Sequence, residues 1–251
     1  MDILTSPYFL ASLFFVVAFI YSSVGLGGGS SYTALLAIFG FSSLVIPSVS
    51  LTLNLVVTSI GSFIFIRNKH AKLKLILPFL ISSVPMAYLG GSIKLPKDIF
   101  YWVLLVSLIF VALRIYGWRD TSFDLKLSQN GKWVVSLLAG GILGLVAGIV
   151  GIGGGIYLVP LIIVLGLGTE KQAAACGAIF IWLNSFSGLI SRQVYNTINL
   201  EEFIPHIIAV LIGGGLGSYL GASKYTAQTI EKILGMLILI AIVLLSQKLL
   251  I

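Results

Sequence analysis

Charge is what this chain has least of. Asp, Glu, Lys and Arg make up 9% of its 251 residues and hydrophobic residues 58%, where a soluble domain carries about 25% charged residues. A water-soluble fold this apolar has no means of covering its surface, and lipid removes the need. Cysteine is nearly absent too. Cys176 stands alone, which excludes an internal disulfide and a thiolate metal cluster. Two histidines, His70 and His206, lie far apart in the sequence. With no buried carboxylate to join them, they supply neither the nucleophile–base pair nor the ligand cluster of an enzyme. No metal and no cofactor is expected.

The missing acids carry the most information. Asp2, Asp98, Asp120, Asp124, Glu170, Glu201, Glu202 and Glu231 all fall in expected loops or at span ends. Carboxylates inside a membrane usually mark cation sites or proton relays. Their absence leaves an anion, or a neutral polar solute, as the natural cargo. Residues 3–66, 75–93, 99–113, 133–169 and 172–191 contain no Asp, Glu, Lys or Arg. Each is long enough for a span of about 20 residues, except 99–113, which Tyr116 and Trp118 extend. The first apolar segment lacks the basic flank and small-residue cleavage site of a signal peptide, so it reads as a real span. The net charge of +7 sits in loops and reports on membrane orientation, not on nucleic acid. Trp102, Trp118 and Trp133 suit interfacial belts, whereas Trp182 lies deeper and either lines a cavity or packs.

Glycine is plentiful and it is duplicated. Val24-Gly25-Leu26-Gly27-Gly28-Gly29 returns as Val150-Gly151-Ile152-Gly153-Gly154-Gly155, displaced by 126 residues. Landmarks then recur in order: Gly40 and Gly166, Asn54 and Asn184, Pro78 and Pro205, Tyr-Leu-Gly at 88–90 and 219–221, and a closing apolar helix. Five landmarks in register indicate internal duplication, a common construction among secondary transporters. The expected fold is an all-α polytopic membrane protein of two homologous halves, residues 1–118 and 133–251. A polar linker at 119–132 joins them.

Lys and Arg set the orientation. The run from Arg67 to Lys74 and the linker, with Arg114 and Lys132 at its flanks, are expected on the cytoplasmic side. The second-half counterpart of the basic loop, residues 192–202, holds one Arg and two Glu. Unequal charge in equivalent loops is expected of inverted repeats. Inversion requires three full crossings per half, with the Gly cluster at the bend of a helix pair that enters and leaves on one side. The segments 8–24 and 30–39 suit this, being about 25 and 15 Å long at 1.5 Å per residue. A single kinked helix, giving four crossings and parallel copies, is the alternative.

Four glycines in five residues exceed what helix contact needs, although small-residue packing is the ordinary use of glycine in membranes. Each disfavours a helix interior by roughly 1 kcal/mol. A break frees backbone N–H groups and opens a new helix whose N-terminus is partly positive, which makes an anion site without a charged side chain. Ser22, Ser23, Ser30 and Ser31 flank the first cluster, and Thr52, Asn54, Asn184 and Ser185 lie in the following spans. Singly, such residues often bond within the bundle. The candidate site is Gly27, Gly28, Gly29, Ser30 and Asn54 with Gly153, Gly154, Gly155, Asn184 and Ser185. Of the rest, Arg67, Arg114 and Arg192 are explained by snorkelling at span ends, with an anion entry route lined by one of them as the alternative, Cys176 by helix packing, and His206 by packing or, less so, by proton coupling.

These clusters, the Asn-bearing spans and the Ala-Ala-Ala-Cys-Gly-Ala run at 173–178 resemble the sulfite exporter TauE/SafE family of membrane transporters over nearly the whole chain. At the place equivalent to that run, the first half departs with Pro47-Ser48-Val49-Ser50-Leu51-Thr52. The resemblance implies export of sulfite or organosulfonates across the cell membrane, without ATP hydrolysis by the protein. A small anion and the lipid bilayer are then its partners, and a homodimer is compatible with it. An anion channel or passive pore is the other reading the residues allow.

Overall fold

A computed structural model describes residues 7–23, 26–117, 128–195, 199–224 and 227–250. Asp2, Val24, Gly25 and residues 118–127 of the linker region lie outside the described residues. Each half contributes five α-helices. The first half holds α1 (Pro7–Ser22), α2 (Gly29–Ile38), α3 (Val45–Arg67), α4 (Leu73–Ser92) and α5 (Lys97–Gly117). The second holds α6 (Gln129–Val150), α7 (Gly155–Val164), α8 (Glu170–Tyr195), α9 (Ile204–Lys224) and α10 (Ala227–Leu250), with a 3-10 turn at Glu201–Phe203. Six helices, α3, α4, α5, α6, α8 and α9, are long and apolar enough to cross a membrane. Pro78 and Pro85 lie inside α4 and Pro160 inside α7, a use of proline that membrane helices tolerate.

Each glycine cluster falls between two helices, and the chain doubles back at each. Near the first break, Tyr21 of α1 hydrogen-bonds Ser30 and Ser31 of α2. The Phe14 and Tyr32 rings then meet at 5.3 Å, and Phe9 and Phe39 meet at 6.2 Å at the open end. Positions fall along α1 as they rise along α2, so the two run antiparallel. This is the bent pair and not the kinked helix. In the second half Gly155 and Val159 of α7 lie against Ile181 and Gly177 of α8, so α7 runs opposite to α8. The α8 helix follows the direction of α6. Its Phe180 lies beside Gly154, near Leu143 and Ala147 of α6, and its Arg192 reaches the far end of α6 at Gly148. The α6 arm has 22 residues against 16 in α1, so it alone among the pair arms is long enough to span by itself.

The halves interlock. Gly140, Gly144 and Gly148 of α6 approach the backbone at Phe79, Ser83 and Ala87 of α4, one turn after another, so these helices run parallel. Gly213 and Gly217 of α9 approach Phe15 and Phe19 of α1 in the same way. At the centre, Gly61 and Ser59 of α3 face Ala178 and Trp182 of α8, while Leu51 faces Gly188. The α3 and α8 helices therefore run antiparallel. Burial follows this arrangement. The crossing stretch of α8 is 61% buried, whereas those of α4, α6 and α9 are 33% buried and present Leu77, Ile81, Leu138, Ile142, Ile208 and Ile212 outward, as lipid requires. Trp182 is half-buried between α3 and the exposed Phe186. It stacks on Phe186 at 5.5 Å and donates to Ser59 Oγ at 2.9 Å, so it packs.

Candidate functional site

Both breaks are made where glycine adopts backbone that other residues avoid. Gly28 precedes α2 at φ +89°, and Gly154 precedes α7 at φ +75°. A left-handed residue at these points reverses the chain within a few residues. The Leu26 N–H closes the first turn onto the Tyr21 carbonyl at 2.9 Å, and the Gly151 N–H closes α6 onto the Ala147 carbonyl at 2.9 Å. Among the described residues, the N–H groups of Gly27, Gly28, Gly29 and Ser30 find no backbone acceptor. The same holds for those from Ile152 to Ile156. Within the described residues, both helix N-termini thus keep donors without a backbone acceptor.

The two breaks meet at the middle of the molecule. Gly151 offers its carbonyl to Ser50 Oγ at 2.8 Å and to Asn54 Nδ2 at 3.4 Å. Gly29 stands directly against the Ile152 carbonyl and the Asn54 amide. Ser50 and Thr33 also hold the Gly29 carbonyl, at 3.2 and 2.6 Å. Asn54 is therefore the bridge between the clusters. It is fully buried, and its Oδ1 has no partner.

Asn184 plays no such part. Its Nδ2 donates to the Phe180 carbonyl of its own helix at 2.8 Å, and its Oδ1 is unpaired. Ser185, its neighbour, does reach the centre, with an unpaired Oγ facing Gly153. Gly154 and Gly155 back onto Phe180 and Ile181 of α8. Ser22, Ser23 and Thr52 bond carbonyls of their own helices. Ser30 is held by Tyr21 at 2.8 Å.

Between the breaks lies a cavity of about 10 Å³, room for roughly one water. Tyr21, Gly27, Gly28, Gly29 and Ser30 form its polar wall, and Leu26, Ile152, Ile156 and Ile181 its apolar wall. Gly27, Gly28, Gly29 and Ser30 were expected there, whereas Tyr21 and the four aliphatic residues were not. Leu26 and Ile152 are the variable positions inside the two Gly motifs, and that placement was the signal available. A four-heavy-atom anion does not fit this space, so binding one requires its walls to move apart.

His206 is buried, with neither ring nitrogen paired. It lies between Phe14 at 5.6 Å and Phe203 at 5.5 Å. It follows Pro205 as Phe79 follows Pro78, and Phe79 fills the matching corner beside Gly140. His206→Phe is expected to raise stability by about 1 kcal/mol, because an unsatisfied buried polar group destabilises by about that much or more. A melt of the purified protein checks it, and a lower midpoint would contradict simple packing.

A family model described as sulfite exporter TauE/SafE matches residues 10–245, which takes in both breaks and every helix that meets them. The chain belongs to the sulfite exporter TauE/SafE family. This TauE/SafE chain is 34% identical over 236 residues to the probable membrane transporter protein y4hK of Sinorhizobium fredii, covering 92% of this chain and 95% of that one. It is 31% identical over 202 residues to the probable membrane transporter protein MJ0441 of Methanocaldococcus jannaschii, covering 77% and 73%. Similarity to the probable membrane transporter protein YunE of Bacillus subtilis is 25% over 246 residues, covering 87% and 89%. No solved structure matches the chain.

Proposed function

We propose that this chain is a secondary transporter of a small anion, sulfite or an organosulfonate, working by alternating access between two inverted halves. One observation carries the reading. Two helix pairs, each broken at glycines, bring free N–H groups and helix N-termini to one central point, where no described acidic residue is buried. Such a point favours negative charge. Antiparallel α3 and α8 support the inverted relation, because they are equivalent helices of the two halves. The linker at 119–132 then joins two repeats of one membrane unit. Sulfite itself comes from the family description, and transport from the relatives' names.

The narrowness of this cavity supports a carrier over an open pore. Binding requires the α1–α2 and α6–α7 breaks to separate, which opens the site toward one side at a time. With residues 67–74 facing the cytoplasm, the α6–α7 pair enters from the cytoplasmic side and the α1–α2 pair from outside, in the plasma membrane. Proteoliposomes loaded with labelled sulfite test this. Efflux is expected to saturate with substrate and to accelerate when unlabelled sulfite is supplied on the other side. Linear, voltage-following currents without exchange would refute the carrier reading and favour a channel.

A further inference from the structure

The geometry points to Arg192 as the fixed positive charge of a second anion-binding station, on the seam of α4, α6 and α8 beside the second glycine break. This rests on the anion reading above. Arg192 is 3% exposed and is the only buried Lys, Arg, Asp or Glu among the described residues. It does not snorkel, as a span-end arginine was expected to do. Its guanidinium turns inward and donates from Nε and Nη2 to the Gly148 carbonyl, at 3.3 and 2.8 Å, and from Nη2 to the Ile149 carbonyl at 2.7 Å. Those carbonyls close α6 just ahead of the break at Gly151.

A helix C-terminus provides only about half a negative charge, and no carboxylate is buried nearby to provide the rest. The hydrogen bonds to α6 come from Nε and Nη2, and the Nη1 end of the guanidinium, which has five donors in all, is left over for another acceptor. The face of α8 leading from the break to Arg192 also carries unpaired donors. Ser185 Oγ and Ser191 Oγ are both buried without a partner. In a membrane interior, groups left like this need a mobile partner. An oxyanion beside Arg192 supplies such a partner, with the guanidinium fork suited to two of its oxygens, and Ser185, about 10 Å back along α8, lies on the way to it from the break.

Helix closure alone does not call for an arginine here. In the first half Ser62 occupies the equivalent place, counting from Asn54 as Arg192 counts from Asn184. There α1 ends with the hydroxyls of Ser22 and Ser23 on its own carbonyls, and the same kind of hairpin forms without a cation. The charge is therefore an addition peculiar to the second half. It lies toward the C-terminal end of α8, on the extracytoplasmic side of the centre in the orientation above. An outgoing anion would meet it after leaving the breaks.

The test compares sulfite and methanesulfonate binding to the purified full chain, wild type, R192K and R192Q, by calorimetry, alongside melting curves. R192Q is expected to weaken affinity about tenfold or more, the scale of a hydrogen bond to a charged group, and R192K by only a few-fold. Lower melting points in both variants with unchanged affinity would reduce Arg192 to a helix pin and overturn the proposal. A wild type that binds neither anion would overturn the anion reading as well. A measurement independent of folding variants is phenylglyoxal labelling read by mass spectrometry. Saturating methanesulfonate, which unlike sulfite does not add to the reagent's aldehyde, should protect Arg192 several-fold while exposed Arg67 stays reactive, and equal labelling with and without methanesulfonate would also refute the station.

Discussion

Gly29→Ala is expected to lower transport and substrate binding more than about tenfold while leaving a folded, extractable protein. Gly29 opens α2 in ordinary helical backbone, so alanine introduces no strain there and favours the helix by about 1 kcal/mol. The effect must come through contact. A Cβ at Gly29 would strike the Ile152 carbonyl and the Asn54 amide together. The first is backbone from the opposite break, and it cannot rotate away. Overpacking of this kind costs about 1–3 kcal/mol, and relief comes only by parting the two breaks at the proposed site. Bulky residues at Gly28 or Gly154 should also abolish binding. They are less clean tests, because positive φ adds about 1–2 kcal/mol of strain and the protein can be lost with the site. Flux in reconstituted vesicles, set against a melting curve, separates the two effects. Wild-type flux in Gly29→Ala would dissolve the assignment of the site to the meeting of the breaks.

Gly144→Val is expected to damage assembly more than any change at the site, by about 3 kcal/mol or more, the upper range for overpacking. Without a hydrophobic force between helices in lipid, association depends on close approach at small residues. A Cβ at Gly144 would meet the Ser83 carbonyl, Cα and C of α4, all backbone. The stripe of Gly140, Gly144 and Gly148 gives no room to slide along the contact. Gly141 is the control, one residue away. A Cβ there would meet only Met86 Cγ and Ser82 Cβ at 3.8 Å, so Gly141→Val should be extracted normally. Size-exclusion profiles in mild detergent distinguish the pair, and identical profiles would refute this account of the α4–α6 contact.

Much of this was readable before any coordinates, for identifiable reasons. A membrane fold writes itself as charge-free runs, and a duplicated break writes itself as a repeated run of glycine, since no other residue turns the chain so sharply. Pairing was harder to read. Asn54 and Asn184 hold the same place in sequence, yet only Asn54 spans the breaks, because Asn184 turns its amide back onto Phe180. The direction of a side chain follows from neighbours supplied by distant helices. The inward turn of Arg192 was hidden for a related reason. Its closeness to the end of α8 suggests snorkelling, and only the placement of the α6 terminus beside it explains the inward turn. The aliphatic wall of the cavity escaped notice because Ile and Leu are the background of every membrane helix.

The exchange of first helices between halves raises a question of timing. The main partner of α1 is α9, whose residues follow by nearly the full length of the chain. At about 5–20 residues per second, α1 and α2 wait on the order of ten to forty seconds before their cover is synthesised. Throughout that interval the unsatisfied amides around Gly27 and Gly28 face whatever the insertion machinery or the lipid provides. This protein should therefore be most vulnerable while it is being made. Slow or stalled translation of the second half should expose the first to degradation, even though the finished transporter is tightly interlocked.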